Sequence, residues 1–89
     1  MEHETRWTVD IDIHEYEDRT RAEARLNTGA GTERTGTGTA RKHPRDANVP
    51  AIGDELAVAR AMADLSHQLI EATAADIEAV TRRPAHLTE

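Results

Sequence analysis

Thr35-Gly36-Thr37-Gly38-Thr39-Ala40-Arg41 is the stretch that decides the fold, because it alternates like a β-strand but carries almost no side chain on one face. Side chains alternate across a strand, so Gly36, Gly38 and Ala40 share one face and the threonines share the other with Arg41. Glycine weakens a strand and marks a place where another backbone approaches closely. The stretch therefore predicts a strand packed tightly against the long amphipathic helix that follows it.

The segment before this strand predicts two more strands. Apolar residues alternate with polar ones over residues 7–13, which is the pattern of a half-buried strand. After a polar turn at 15–18, residues 20–27 alternate in the same way and predict a second strand, paired with the first as a hairpin. Residues 27–31 contain Asn and Gly, which accept positive φ, and mark the next turn. Three strands in an antiparallel meander result.

Beyond residue 51 the period changes to three- and four-residue steps, which predicts one helix of about 27 residues. Asp54 and Glu55 suit its positive N-terminal end, and Arg82-Arg83 suit its negative C-terminal end, where Pro84 stops it. One apolar stripe of this helix is expected to face the sheet. It comprises Leu56, Ala59, Ala63, Ser66, Ile70, Thr73, Ile77 and Val80. Met62 and Leu69 lie beside these positions and make the stripe wider.

The predicted architecture is thus α+β: a three-stranded antiparallel meander followed by one long C-terminal helix (β-β-β-α). With 89 residues the chain has room for one domain, predicted over 6–81 between flexible termini at 1–5 and 82–89. Its core is expected to be thin, because Leu, Ile and Val number 14, Phe is absent and alanine, at 15 residues, is the main apolar type. A helix longer than its strands and a thin core together predict a homodimer.

Composition also bounds the environment of the chain. There is no cysteine, which removes disulfides, thiolate metal sites and thiol catalysis and is compatible with a reducing cytosol. No apolar run approaches the core of a signal peptide or the length of a membrane span. We therefore expect a cytoplasmic protein without a membrane partner.

Charge is distributed unevenly along the chain, although the formal net charge is −6. Residues 1–18 and 46–89 are acidic, whereas residues 19–45 are strongly basic. One interpretation is that acids and bases pair across the strands of the hairpin. The other is a basic face that contacts phosphates of structured RNA without reading bases. The residues predicted for that contact are Arg21, Arg25, Arg41, Lys42 and Arg45.

Catalytic motifs are weak in this sequence. No complete dinucleotide-binding or phosphate-binding loop is present around Gly36 and Gly38. Asp10, Asp12 and His14 share a strand face and suggest a metal site, but alternate strand positions are about 7 Å apart, too far for one ion to bridge all three. We predict no enzyme activity, no catalytic residues, no resident metal and no cofactor.

Four segments of the chain carry a family resemblance. They are Trp7-Thr8-Val9, Arg19-Thr20-Arg21-Ala22-Glu23-Ala24-Arg25-Leu26, Gly36-Thr37-Gly38-Thr39-Ala40-Arg41 and Val49-Pro50-Ala51-Ile52-Gly53-Asp54-Glu55-Leu56-Ala57. Together they resemble a family of small actinobacterial proteins, known as a domain of unknown function, with mycobacterial members induced in hypoxia and dormancy. The resemblance implies a β-β-β-α homodimer whose shape is similar to ribosome hibernation-promoting factors and double-stranded-RNA-binding domains. It implies no catalytic residues.

The sequence therefore predicts a non-enzymatic, homodimeric protein of stress or dormancy physiology that binds the ribosome or structured RNA, with no DNA partner. One alternative is a protein–protein adaptor that uses the acidic N-terminal segment and the helix. The other is a small-molecule or metal-binding protein that uses the face of Asp10, Asp12 and His14. Binding by the adaptor would not depend on Arg21, Arg25 and Arg41, and a small-molecule or metal-binding protein would show a rise in melting temperature with its ligand.

Overall fold

The structure, a computed structural model, describes residues 2–31, 33–41 and 50–87. Three antiparallel strands precede one long helix, and the strands lie in the order β1-β2-β3 with β2 in the centre. This arrangement confirms the predicted α+β meander followed by a C-terminal helix. The elements are β1 at Thr8–Glu15, β2 at Arg19–Asn27, β3 at Glu33–Arg41 and α1 at Pro50–Thr81.

The register fixes which residues share a face of the sheet. Ile11 lies opposite Ala24, and Ala24 lies opposite Gly36. Opposite residues of an antiparallel pair project to the same side, so these three share the face on which α1 packs, which we call the covered face. The other side, which carries Arg21 and Thr37, is the open face.

The close approach predicted at the glycines of β3 is present. A Cβ atom added at Gly36 would overlap the carbonyl oxygen of Ala61 and lie 2.6 Å from the amide nitrogen of Leu65. A Cβ atom at Gly38 would overlap the backbone of Ala57 and Ala61. The helix backbone therefore occupies the space that side chains of β3 would fill, and only glycine is compatible with this packing.

The helix face turned to the sheet differs from the predicted one. Ala57, Ala61 and Leu65 are buried, whereas seven of the eight predicted stripe positions are exposed and Ile70 is half-buried. Ser66, expected to be a small core residue, is one of the seven exposed positions. The physical reason is the contact with β3: a backbone seated on glycines has room for alanine but not for a row of Leu and Ile. We call the eight exposed or half-buried positions from Leu56 to Val80 the outer stripe.

The core is as thin as composition predicts. Over the part of the chain that the structure describes, its buried hydrophobic residues are two leucines and five alanines, and no large side chain there is fully buried. These residues are Ala22, Ala24, Leu26, Ala40, Ala57, Ala61 and Leu65, with Val58 and Leu69 packed against them. Alanine contributes little area per contact, so this core stabilises the fold less than one built from Leu and Ile.

The ends of α1 also refine the prediction. The helix begins at Pro50 and has 32 residues, so Asp54 and Glu55 lie beyond its first turn, and no acidic residue stands there. Proline suits the first helical position because its missing N–H has no helical partner. The helix ends at Thr81, and Arg82 takes a positive φ of 58° while its amide donates to the carbonyl of Glu78 at 2.7 Å. This is an αL cap made without glycine.

Candidate nucleic-acid interface

The open face of the sheet carries three of the predicted contact residues. Arg21 and Arg25 on β2 alternate with buried alanines, and Arg41 follows buried Ala40 on β3. All three side chains therefore project away from α1. Between them β3 presents exposed threonines at 35, 37 and 39, whose hydroxyl groups are uncharged hydrogen-bonding groups.

Arg19 belongs to the same face but was not among the predicted contacts. It lies opposite Arg41 in the register, and its guanidinium carbon is 5.1 Å from the ring centroid of Tyr16. Alternation with Arg21 was the available signal, because residues two apart on a strand share a face. Arg19 and Arg41 together make one end of the open face its most basic part.

Acidic residues neutralise the rest of the open face. Arg21 forms an ion pair with Glu23 at 2.9 Å, and Arg25 lies opposite Asp10 of β1. The register thus sets an acid opposite a base at Asp10 and Arg25, as the predicted cross-strand pairing requires. It fails at Asp12, which lies opposite Glu23. The face is therefore mixed in charge across β1 and β2 and basic toward Arg19 and Arg41.

The two remaining predicted contacts, Lys42 and Arg45, lie outside the described residues. Their positions relative to Arg41 stay predictions. The described part of the interface is therefore limited to residues of β2 and β3.

The face of Asp10, Asp12 and His14 does not converge on a point. Over residues 2–31, 33–41 and 50–87, no three His, Asp or Glu side chains lie close enough to hold a metal ion. A pocket of about 220 Å³ opens instead on the covered face, between the start of β1 and the second half of α1. It is lined by Trp7, Leu26, Thr28, Arg34, Leu69, Ala72, Thr73 and Asp76.

Helix side chains form hydrogen bonds with the outward backbone groups of β3, at one edge of the sheet. At β3, Arg60 donates to the carbonyl of Thr39 at 2.7 Å, and Gln68 donates to the carbonyl of Thr35 at 2.8 Å. Asp64 accepts from the amide of Thr37 at 2.8 Å. This polar row, Arg60-Asp64-Gln68, was missed at the sequence level because polar residues at four-residue steps are typical of a solvated helix face.

Apolar side chains stay exposed on two surfaces. On β1 they are Val9, Ile11 and Ile13, because α1 packs over β3 and β2 and hardly reaches β1. On α1 they belong mainly to the outer stripe, where Val80 is 84% exposed. None of the described helices is long and apolar enough to cross a bilayer.

Comparison with known proteins identifies relatives that share this fold. The sequence profile of the Rv2632c-like family matches residues 5–86. An uncharacterized protein of Mycobacterium bovis, Mb1767, is 54% identical over 81 residues, which cover 91% of this chain and 85% of that protein. The uncharacterized protein Rv2632c of Mycobacterium tuberculosis is 51% identical over 76 residues, covering 85% of this chain and 81% of the relative.

A solved structure extends the comparison to three dimensions. The crystal structure of Rv2632c superposes with a TM-score of 0.83 at 47% sequence identity, covering 93% of this chain and 98% of that one. The similarity thus includes the strand order and the long helix as well as the sequence. The chain belongs to the Rv2632c-like family.

Proposed function

We propose that this protein is a non-catalytic homodimer of stress or dormancy physiology that binds structured RNA, foremost the ribosome, through the open face of its sheet. The observation that carries the proposal is that Arg19, Arg21, Arg25 and Arg41 project from the same uncovered face. The resemblance of the sequence to a family likened to hibernation factors supports the choice of the ribosome.

The chemistry of this face suits a phosphate backbone better than bases. Arginine forms bidentate hydrogen bonds to phosphate oxygens, and threonine hydroxyls can bond phosphates or 2′-hydroxyl groups. Double-stranded RNA is recognised mainly by its shape and by these groups. The open face has no described aromatic side chain between its arginines on which a base could stack, apart from Tyr16 beneath Arg19.

The acidic residues restrict how RNA approaches. Asp10 and Asp12 lie on the β1 side of the open face, and an RNA backbone is repelled there. Arg19 and Arg41 lie at the opposite corner, where β2 and β3 meet the end of the sheet. We therefore expect the RNA to run along β3 and to avoid β1.

A homodimer would double the number of phosphate contacts and raise the apparent affinity. Two features support self-association. The core is small, and the last turns of a helix about 48 Å long extend beyond strands of about 30 Å. Ile77 and Val80 lie in those turns and are exposed. The outer stripe also contains Ala59, Ala63 and Ser66, small residues that let a second helix approach closely.

Ribosome co-sedimentation at several salt concentrations tests the RNA contact. Arg21→Ala/Arg25→Ala/Arg41→Ala should weaken binding and flatten the slope of log affinity against log salt by roughly 0.7–0.9 per lost contact in each copy. The matched control removes three charges away from the sheet, as Arg6→Ala/Arg82→Gly/Arg83→Ala, and should leave the slope unchanged. Equal slopes for the two variants, or no sedimentation of the wild type at low salt, would contradict the proposal.

Light scattering coupled to size exclusion tests the dimer. At micromolar concentration the mass should be twice the chain mass of 9.8 kDa. Ala63→Arg should return it to the monomer value, because a charge in the middle of the outer stripe opposes helix contact. Ala63→Ser should preserve the dimer. If the wild type has the mass of a monomer at every concentration, the proposed dimer is wrong.

A protein–protein adaptor is the second candidate, and the exposed apolar row on β1 favours it. A hydrophobic surface of this kind marks contact with another protein more often than with RNA. Co-purification of a partner protein that is indifferent to the triple arginine variant and to ribonuclease would favour the adaptor over the RNA-binding protein.

A further inference from the structure

The pocket on the covered face lies at the end of the sheet where the glycines of β3 stop. At Gly36 the helix backbone rests on the strand, but two residues earlier the strand carries Arg34, which lies opposite Leu26 of β2. These two side chains are large, so the helix cannot approach this end of the sheet as closely as it approaches the glycines. The space of about 220 Å³ that remains is lined by both of them and by residues of α1.

Apolar side chains form much of the pocket wall. Leu26 is buried, and Leu69 and Ala72 are half-buried. Trp7, just before β1, keeps 53% of its surface exposed. A concave apolar surface with a few polar groups is the general form of a small-molecule site. The volume is below the roughly 300–1,000 Å³ typical of sites for drug-sized ligands, so a fitting ligand is no larger than a single amino acid.

Arg34 places a positive charge in this pocket. It shares the covered face with Leu26, its partner in the register, and it is half-buried. Within the described residues its guanidinium forms no ion pair and no hydrogen bond. A charge that is partly removed from water costs free energy unless an opposite charge or a hydrogen bond compensates it. A carboxylate suits this position, because it can accept two parallel hydrogen bonds from a guanidinium.

Asp76 of α1 places a negative charge in the same pocket. Within the described part of the chain its carboxylate pairs with no cation, Arg34 included, although both residues line one space. A ligand with only a carboxylate is repelled by Asp76, and a ligand with only an ammonium group is repelled by Arg34. A ligand that carries both charges close together is attracted by both residues.

We propose that this pocket binds a small zwitterion with an apolar side chain, of the class of free leucine. The carboxylate of the ligand would pair with Arg34 and its ammonium group with Asp76. Its side chain would pack against Trp7, Leu26 and Leu69, which removes apolar surface from water. The pocket lies on the side of the sheet opposite the open face, so this inference goes beyond the RNA contact and does not depend on it.

Leucine and its derivatives provide the first measurement on the full chain. Trp7 is the only tryptophan, so its fluorescence reports on the pocket, and leucine itself does not fluoresce. Titration with leucine should give a saturable change. N-acetylleucine, which lacks the ammonium group, and leucinamide, which lacks the carboxylate, should each bind at least about tenfold more weakly. Glycine keeps both charges but has no side chain, and should also bind more weakly.

Protein variants provide the second measurement. Asp76→Asn should bind leucine and N-acetylleucine about equally but still prefer leucine to leucinamide, because only the contact with the ammonium group is lost. Arg34→Gln should bind leucine and leucinamide about equally, because the contact with the carboxylate is lost. The matched variants Glu55→Gln and Arg83→Gln remove exposed charges outside the pocket and should keep the preferences of the wild type.

Circular dichroism checks that each variant folds, and the comparison of ligands on the wild type does not depend on the variants. No saturation at millimolar leucine, or equal binding of leucine and its two derivatives to the wild type, would overturn the proposal. An unchanged preference among the three ligands in folded Asp76→Asn or Arg34→Gln would overturn it as well.

Discussion

The two edges of this small sheet differ in how closely the helix packs on them and in whether helix side chains bond to their backbone. At β3 the glycines bring the helix backbone onto the strand, and the Arg60-Asp64-Gln68 row bonds to its outer backbone groups. At β1 the strand carries larger apolar residues, yet the helix leaves them partly exposed. The difference teaches that small residues, rather than large ones, determine where the helix sits, because only they allow close backbone contact. The larger apolar residues remain available for a partner.

The largest change in the free energy of unfolding is expected from a side chain placed between β3 and α1. Gly38→Val should destabilise the fold by about 3 kcal/mol or more, because the new side chain meets helix backbone that cannot rotate away. Thr37→Val, on the open face of the same strand, should stay within about 0.5 kcal/mol of wild type. Urea unfolding of the two variants provides the measurement. The reverse ranking would mean that the facing assigned to β3 is wrong.

The next largest effect is expected from truncating apolar side chains, which should destabilise the fold more where α1 covers the sheet than at β1. Leu65→Ala removes a buried side chain of α1 that packs against the sheet, and should cost about 2–4 kcal/mol. Ile11→Ala removes a side chain that is already 39% exposed and should cost only about 1 kcal/mol. Thermal melts followed by circular dichroism compare them. Equal losses would indicate that β1 is covered in solution.

The smallest difference in stability is expected between substitutions of two aspartates, one at each edge of the sheet. Asp64→Ala removes the acceptor for the Thr37 amide and should cost about 1.5 kcal/mol. Asp12→Ala should be neutral or slightly stabilising, because Asp12 faces Glu23. Chemical unfolding at low salt measures both. If Asp12→Ala proves the more destabilising, the acid has a partner that the register does not supply.

Much of this fold is predictable from the sequence, since periods of two and then 3.6 residues separate strands from helix. The contact of Gly36 and Gly38 with a backbone follows from the same alternation. The helix facing is harder, because α1 has two stripes: Leu56 and Ile77 on one, Ala57 and Ala61 on the other. Hydrophobicity alone favours the larger residues, whereas the glycines of β3 select the alanines.

The candidate interface is predictable only in part. Alternation correctly assigns Arg21, Arg25 and Arg41 to the open face, because strand geometry requires it. The ion pair of Arg21 with Glu23 depends on rotamers, which alternation does not specify. The polar row that seals β3 depends on the helix being displaced toward that edge, which is a tertiary property with no local signal.

Amide hydrogen exchange measured by NMR tests the contrast between the edges most directly. The account predicts that the Thr37 amide, although on an edge strand, is protected like the amides paired between β2 and β3, because Asp64 accepts its hydrogen bond. Alternate amides of β1 that point away from β2 should exchange at nearly the rate of an unstructured chain. Fast exchange at Thr37, or protection along both sides of β1, would contradict a sheet with one closed and one open edge.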